Sequence, residues 1–266
     1  LLLSEDTKNR FSSKEAKTVA LRTWNITVKL HRLIHMANDS DKSTILLSLI
    51  PSIRILTVDI YQKYIEKNNE DDEFKLFYFI SYTYKSLLDA DNDSLARKYN
   101  EMAIKLYTHL KPSSDSALTF VHLKIWQAQH EISQNNNYNG ALMILKEFTN
   151  SFSIISSNLI SYIYEKTIET KSIEWCKYCF SLANNSTAIS DEMKSQIESL
   201  LAQLYLNNSL PEEAMKIISH LPKSINQEFL ELKCLILLFP NEPSLKERLI
   251  NFISKTSEDR RLLVTL

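Results

Sequence analysis

A single glycine, Gly140, occurs among the 266 residues of this chain. Glycine is the residue that most readily adopts the positive φ of tight β-hairpin turns, and glycine-rich loops hold the phosphates of nucleotides. A chain with one glycine is therefore poorly suited to a large β-sheet or a nucleotide-binding loop. Apolar residues still make up 44% of the sequence, enough for a continuous core between helices. The composition predicts an all-α protein.

Charge and hydropathy argue against two classes of partner. The chain has 31 basic and 32 acidic residues, so it has no overall field to attract nucleic acid or an anionic membrane. No stretch reaches the roughly 18 uninterrupted apolar residues of a membrane span. Leu1–Leu3 is followed at once by the polar segment Ser4–Asp6, unlike a signal peptide. We therefore expect neither direct nucleic-acid binding nor a membrane anchor.

Apolar residues at intervals of three and four predict two long helices followed by shorter hairpins. The first long helix is expected from about Ser12 to Ala37 and the second from about Lys42 to Lys67, with Pro51 kinking or splitting the second. Clusters of Asn, Asp, Ser and Pro then separate five helix pairs, because these residues compete with helical hydrogen bonds or cannot continue them. The expected pairs are 74–88 with 94–110, 115–133 with 139–152, 157–169 with 172–183, 191–206 with 211–220, and 227–238 with 244–254.

This pattern divides the chain into an N-terminal long helical pair, residues 1–69, and a continuous solenoid of hairpins, residues 70–266. The chain begins without Met and ends without the polar helix that caps natural arrays. We therefore expect it to be a piece of a longer solenoid.

One hairpin carries a clear repeat signature. Leu201, Ala202 and Tyr205 match the Leu, small and Tyr positions of the first helix of a tetratricopeptide repeat (TPR), and Ala214 matches the small position of the second helix. Earlier pairs also have a small residue at this second-helix position. The series, with separations of 45, 35 and 38 residues, is Ala96, Ala141, Cys176 and Ala214. The uneven spacing indicates degenerate repeats, and the resemblance to TPR units implies a right-handed superhelix of such hairpins, an α-α superhelix.

Residue types that carry catalysis or bind metal do not form a recognisable site. Cys176 and Cys179 have the C-x-x-C spacing but lack both the strand-to-helix context of a thioredoxin motif and a second pair of zinc ligands. His31 and His35 stand four residues apart without the glutamate of H-E-x-x-H or a third ligand. The acidic run Glu70–Glu73 is expected at a helix start, where it complements the helix dipole; holding a basic partner is the alternative. We predict no catalytic residue, metal or cofactor.

Aromatic residues crowd one predicted helix more densely than a single buried face can absorb. In a TPR stack, the first helices of the hairpins line a concave groove for peptides. Transferring that register to this chain selects six candidate groove residues: Tyr78, Lys85, Trp126, His130, Glu165 and Gln203. Aromatic and long polar side chains suit a groove that holds an extended or helical peptide. The alternative is that Tyr78 and Trp126 pack between neighbouring helices.

The segment Val19–Leu30, which contains Trp24 and Asn25, resembles a Trp-Asn-containing helix of the meiotic Zip-four family of TPR scaffolds. That family has a leucine where this chain has Thr23. The resemblance implies a nuclear, chromosome-associated hub that joins crossover-promoting factors to synaptonemal complex assembly and has no catalytic activity. Helical arrays of the cohesin-loading, proteasome-lid and vesicle-fusion types are the alternatives, and without the resemblance we expect a cytoplasmic protein.

Three hypotheses about function follow from the sequence. The first is an interaction scaffold that binds peptide segments or helices of other proteins, along its groove or its convex face, and takes no small-molecule substrate. The second is a structural spacer between binding regions elsewhere in a longer chain. The third is a nucleic-acid binder, against which the near-zero net charge argues.

Overall fold

The structure is a computed structural model, and it describes residues 12–36, 40–65 and 69–256. The described part of the chain contains twelve α-helices and no strand. They are α1 (Ser13–Met36), α2 (Ser40–Tyr64), α3 (Glu70–Asp89), α4 (Asp93–Tyr107), α5 (Ser114–Asn135), α6 (Tyr138–Phe152), α7 (Ser157–Thr170), α8 (Ile173–Asn184), α9 (Asp191–Asn207), α10 (Pro211–Ile218), α11 (Ile225–Leu238) and α12 (Pro243–Thr256).

Consecutive helices pack as hairpin-like pairs, α1 with α2 and so on to α11 with α12. This confirms an all-α protein of sequential helix pairs, consistent with a helical repeat, while the right-handed superhelix stays a prediction. The chain forms two compact units, which we call unit 1 (Leu1–Ile154) and unit 2 (Ile155–Leu266). No helix in the described ranges is long and apolar enough to cross a membrane. The predicted terminal features at residues 1–6 and 257–266 lie outside the described residues.

Helix α2 runs without interruption through Pro51, so the expected split of this helix is wrong, whereas the kink expected as the alternative stays a prediction. Proline removes one helical hydrogen bond and crowds the preceding turn. Pro51 is buried, as are Ile50 and Arg54 beside it. Tertiary packing of this turn outweighs the local preference of proline to end a helix.

Polar caps set the helix boundaries, as the Asn, Asp and Ser clusters predict. The side chains of Asn69, Asn92 and Asn137 accept hydrogen bonds from backbone N–H groups at the starts of α3, α4 and α6. Ser113 forms a reciprocal capping box with Ser116 at the start of α5. These bonds satisfy N–H groups that have no partner within the helix.

The core of unit 1 is rich in aromatic rings. The Phe120 ring stacks on Tyr107 at 4.0 Å between ring centroids and contacts Phe148 edge-on at 5.3 Å. Trp24 of α1 packs on Phe79 of α3 at 4.6 Å. These large rings fill the space between the helix pairs and fix α1, α3 and α5 relative to one another.

The core of unit 2 is mostly aliphatic, with small residues where helices cross. Leu201, Ala202, Tyr205 and Ala214, the four positions of the TPR signature, are all buried in one cluster with Cys176.

The small second-helix residues of the other pairs are buried too, and each lies on the second helix of its pair: Ala96 and Ala103 on α4, Ala141 on α6, and Cys176 and Ala183 on α8. The small residues that the repeat register selected are therefore buried, each on the second helix of its pair.

Candidate protein-binding site

Three of the predicted groove residues line one cleft in unit 1. Lys85 projects from α3, and Trp126 and His130 project from α5, the first helices of consecutive pairs. Helices α3 and α5 pack directly against each other. The cleft between them, of about 250 Å³, is here called the α3–α5 cleft and is lined by Lys85, Leu88, Asp89, Asp91, Trp126, Gln129, His130, Ser133 and Gln134.

The rim of the α3–α5 cleft is tied together by polar contacts. Lys85 forms an ion pair with Asp89 one turn later on α3. His130 Nε2 lies 3.0 Å from Asp93 Oδ1, and Gln134 Nε2 donates a hydrogen bond of 2.7 Å to Asp91 Oδ1. These contacts join α5 to Asp91, in the turn between α3 and α4, and to Asp93, the first residue of α4. They therefore hold the two pairs in register as well as shaping the cleft.

The charges of this rim are unbalanced. Asp89 and Asp91 face the ammonium of Lys85, Asp89 also interacts with the buried guanidinium of Arg54 on α2, and a third carboxylate, Asp93, contacts His130. A carboxylate can accept about four hydrogen bonds, and each of these three has one contact described above. The cleft therefore keeps acceptor capacity for a cationic group beside the apolar faces of Leu88 and Trp126.

Tyr78, the fourth predicted residue of unit 1, lies in an adjoining row of aromatic rings. It is half-buried and contacts Tyr82 at 4.4 Å and Trp24 at 5.8 Å, and Tyr82 contacts Trp126 at 5.0 Å. Tyr78 and Trp126 thus each contact an aromatic ring of a neighbouring helix and also keep exposed surface. Both the groove assignment and the packing alternative remain predictions for these two residues.

A buried arginine lies beneath this aromatic row, and sequence reasoning missed it. The Arg54 guanidinium of α2 lies 5.0 Å from the Trp24 ring and donates a hydrogen bond of 2.6 Å to the carbonyl of Tyr82. Burial lowers the pKa of Arg54 to about 10, and the charge of Asp89 partly opposes that shift. The available signal was an arginine inside an otherwise apolar stretch of a helix, Ile53–Leu56.

Gln203, on α9, contributes to a separate cleft within unit 2. This α9–α11 cleft has a volume of about 440 Å³. Its lining is almost uncharged, with one carboxylate, and consists of Tyr164, Glu192, Ser195, Gln196, Ser199, Leu200, Gln203, Leu221, Pro222, Ser224, Asn226, Gln227 and Leu230. Glu165 is exposed on α7 next to Tyr164, outside these lining residues. The structure thus brings Gln203 to a cleft and leaves Glu165 beside it.

The two cysteines of the C-x-x-C sequence are core residues. Cys176 Sγ lies 3.9 Å from the carbonyl oxygen of Ile197, and Cys179 Sγ lies 3.8 Å from that of Ile160. Burial raises the pKa of each thiol to about 12, so both are protonated at neutral pH. Within the described ranges no three His, Cys, Asp or Glu residues meet as a metal site, and the His35 side chain lies outside them.

Comparison with models of protein families, with curated proteins and with solved structures finds no match to this chain. The resemblance of Val19–Leu30 to the meiotic Zip-four family therefore stays a prediction. What is established is an all-helical chain of sequential pairs with a polar cleft in each of its two units.

Proposed function

We propose that this chain is a non-enzymatic protein-binding scaffold, and that its α3–α5 cleft holds a partner segment with a basic side chain beside an apolar one. The observation that carries the proposal is the meeting of Lys85, Trp126 and His130 with Asp89 and Asp91 in one cleft. The carboxylates attract a lysine or arginine, and the Trp126 ring offers a face for a cation or an apolar side chain.

The rigidity of the cleft also supports this proposal. The contacts of His130 with Asp93 and of Gln134 with Asp91 fix the rim before a ligand arrives. A preformed site loses less conformational entropy on binding than a mobile one. Short peptide segments bury little surface, so they depend on such preorganisation for useful affinity.

Peptide selection on the immobilised chain tests the proposal. A random dodecapeptide library should yield sequences in which Arg or Lys neighbours Leu, Phe or Trp. The double variant Asp89→Asn with Asp91→Asn should weaken binding of the selected peptides by about tenfold, because it removes two charges and keeps the size of both side chains.

The matched control for that experiment is Asp71→Asn, which removes an exposed carboxylate paired with Lys75 at the other end of α3. Binding should be unchanged in this variant. Selected peptides without basic residues, or equal affinity for the double variant and the wild type, would contradict the proposal.

The Trp24–Asn25 helix favours a more specific form of the proposal, a hub for meiotic crossover factors and synaptonemal complex assembly in the nucleus. It rests on the resemblance of Val19–Leu30 alone. Pull-down of crossover and synaptonemal proteins with the chain, and with Tyr78→Ala and Trp126→Ala, tests this form. If both variants capture the partners as well as the wild type does, the groove is not the binding site. Partners of cohesin-loading, proteasome-lid or vesicle-fusion type would replace the meiotic assignment.

A further inference from the structure

Helix α1 presents two different faces. Ala16, Ala20, Trp24 and Thr27 are buried, and the Thr23 and Thr57 hydroxyls hydrogen-bond at 2.9 Å between α1 and α2. Another face of the same helix carries three large apolar side chains that are exposed, at 38% for Val19, 48% for Ile26 and 55% for Leu33. This second face is not used by the aromatic core or by the α3–α5 cleft.

The exposed apolar residues have the spacing of a helix-packing seam. Val19, Ile26 and Leu33 recur every seven residues, and Arg22, Lys29 and Met36 follow each of them by three. A coiled-coil seam has apolar residues at both of these positions; here the second position is Arg22, Lys29 and Met36, so the stripe along α1 alternates apolar and mostly basic side chains. A heptad stripe fits a helix better than it fits an extended peptide.

The charge of this face is one-sided. Arg22, Lys29 and Arg32 are all exposed, and the face between Val19 and Met36 contains no carboxylate. The single acidic residue of α1 is Glu15, which is hydrogen-bonded to Ser12 at the helix start. A partner helix must therefore bring acidic residues next to its apolar stripe to match Arg22 and Lys29.

Two other occupants fit less well. Pairing this face with the same face of a second copy would bring Arg22 and Lys29 against like charges. An anionic bilayer would attract the cations, but Arg22 and Lys29 lie within the apolar stripe instead of beside it, so burying the stripe in hydrocarbon would bury charge. Carboxylates on a partner helix would instead form ion pairs with Arg22 and Lys29 within the stripe.

We propose that the exposed face formed by Val19, Arg22, Ile26, Lys29, Arg32 and Leu33 binds an acidic amphipathic helix of another protein. The face is separate from the α3–α5 cleft, which selects basic segments, so the chain can hold two partners of opposite charge. This surface function does not depend on the cleft.

Two synthetic helices of about 21 residues test the proposal with the full chain. Both have leucine at every seventh residue. Three residues after each leucine, and at the flanking positions, one helix has glutamate and the other has lysine. Fluorescence anisotropy should show at least about tenfold tighter binding of the glutamate helix, decreasing as salt is added. Equal binding of the two helices overturns the proposal.

Charge reversal localises the site. Arg22→Glu with Lys29→Glu should abolish binding of the glutamate helix and allow the lysine helix to bind instead. Arg97→Glu with Lys105→Glu, which reverses two exposed cations of α4 in the same unit, should leave both affinities unchanged. Loss of binding in the α4 variant but not in the α1 variant would place the site elsewhere.

The two rejected occupants are measured in the same series. Sedimentation with phosphatidylcholine vesicles containing about 30% phosphatidylserine should show no more binding than with neutral vesicles. Analytical ultracentrifugation should show no dimer that Arg22→Glu with Lys29→Glu disrupts. Vesicle binding or dimer formation that depends on Arg22 and Lys29 would replace the acidic helix as the occupant.

Discussion

Unit 1 and unit 2 share the plan of consecutive helix pairs but differ in how they use charge. Among its described residues, unit 1 buries two charged side chains, Arg54 and Asp72, each 5% exposed, and it lines its cleft with carboxylates. In unit 2 no charged side chain is buried among the described residues, the buried Thr and Ser side chains are Thr167, Ser186 and Thr256, and the cleft is nearly neutral. One architecture thus supports a unit that buries charges beside an aromatic core and a unit whose described core contains no buried charge.

This difference has an energetic consequence. A buried charge is tolerated only with its partners, so removing one partner costs several kcal/mol. A buried hydroxyl that hydrogen-bonds to its own helix can be replaced by a methyl group at little cost. Stability of unit 1 should therefore depend on single polar residues, whereas unit 2 should not. Hydrogen exchange followed by mass spectrometry reads the two units separately in the intact chain.

The largest effect is expected for Asp72→Ala in unit 1. The Asp72 carboxylate pairs with Lys17 and accepts a hydrogen bond of 2.8 Å from the Tyr61 hydroxyl, so its loss leaves both groups without their partner. We expect a loss of about 2 kcal/mol in the opening free energy of α3 amides, because the buried Tyr61 hydroxyl loses its acceptor while the partly exposed Lys17 ammonium can turn to water. Asp71→Ala, at the exposed neighbouring position, should change it by less than about 0.5 kcal/mol. If the two variants lose comparable stability, the contacts of Asp72 with Lys17 and Tyr61 are not the cause of the loss.

Acid should weaken unit 1 through the same residue. Burial tends to raise the pKa of Asp72, but the hydrogen bonds from Lys17 and Tyr61 outweigh it, and the net pKa is lowered. The stability that Asp72 contributes is therefore present above its unfolded pKa of about 3.9 and is lost as pH falls through the folded pKa. Asp72→Asn should show a smaller acid loss in α3 than the wild type.

Unit 2 provides the contrast in the same acid series. Burial raises the pKa of Glu198, with His220 partly opposing this, so protonation of Glu198 relieves a cost as pH falls. In unit 1, Asp59 acts in this direction too. The test is therefore the difference between wild type and Asp72→Asn in how much stability α3 loses on acidification. If the two proteins lose the same amount, Asp72 is not the cause of the acid loss.

A smaller effect is expected at Gly140, where unit 1 again depends on polar contacts. The Asn137 side chain accepts a hydrogen bond of 2.9 Å from Gly140 N and donates one of 2.7 Å to Glu131. A Cβ on Gly140 would lie 2.3 Å from Asn137 Nδ2 and would displace this cap. Gly140→Ala should therefore lower the stability of α6 by about 1 kcal/mol, although alanine favours a helix interior. Asn139→Ala is the control, and stabilisation by Gly140→Ala would show that the cap does not matter.

The smallest effect is expected for Thr167→Val in unit 2. Thr167 is fully buried, and its hydroxyl donates a hydrogen bond of 2.9 Å to the Ile163 carbonyl of the same helix. That carbonyl already accepts the helical bond, so valine should change the opening free energy of α7 by less than about 1 kcal/mol. A loss similar to that of Asp72→Ala would end the distinction between the two units.

Local sequence signals predicted the helices closely. The predicted pair 157–169 and 172–183 is observed as Ser157–Thr170 and Ile173–Asn184, because Asn, Ser and Pro act on the backbone next to them. Helix α3 begins at Glu70 and not at Phe74, so the acidic run Glu70–Glu73 forms its first turn. This confirms the prediction that the acidic run lies at the start of a helix.

The candidate site was only partly visible in the sequence. The repeat register placed Lys85, Trp126 and His130 on facing first helices, and the structure brings them to one cleft. The repeat register gave no indication that Asp93 contacts His130, which is 37 residues away in the sequence. It also gave no indication that Arg54 lies under Trp24 and Tyr82 and bonds to Tyr82, 28 residues away. Such contacts depend on how the helix pairs stack, and not on helical periodicity.

The sequence by itself determined that the chain is helical, where its helices end, and which small residues on the second helices are buried. These properties depend on backbone preferences and on a period of 3.6 residues, both of which are local. Only the tertiary structure decided that Pro51 remains inside a helix, that Arg54 and Asp72 are buried with partners, and that Ile26 and Leu33 are exposed. Burial is set by packing between elements, which can reverse a residue's local preference.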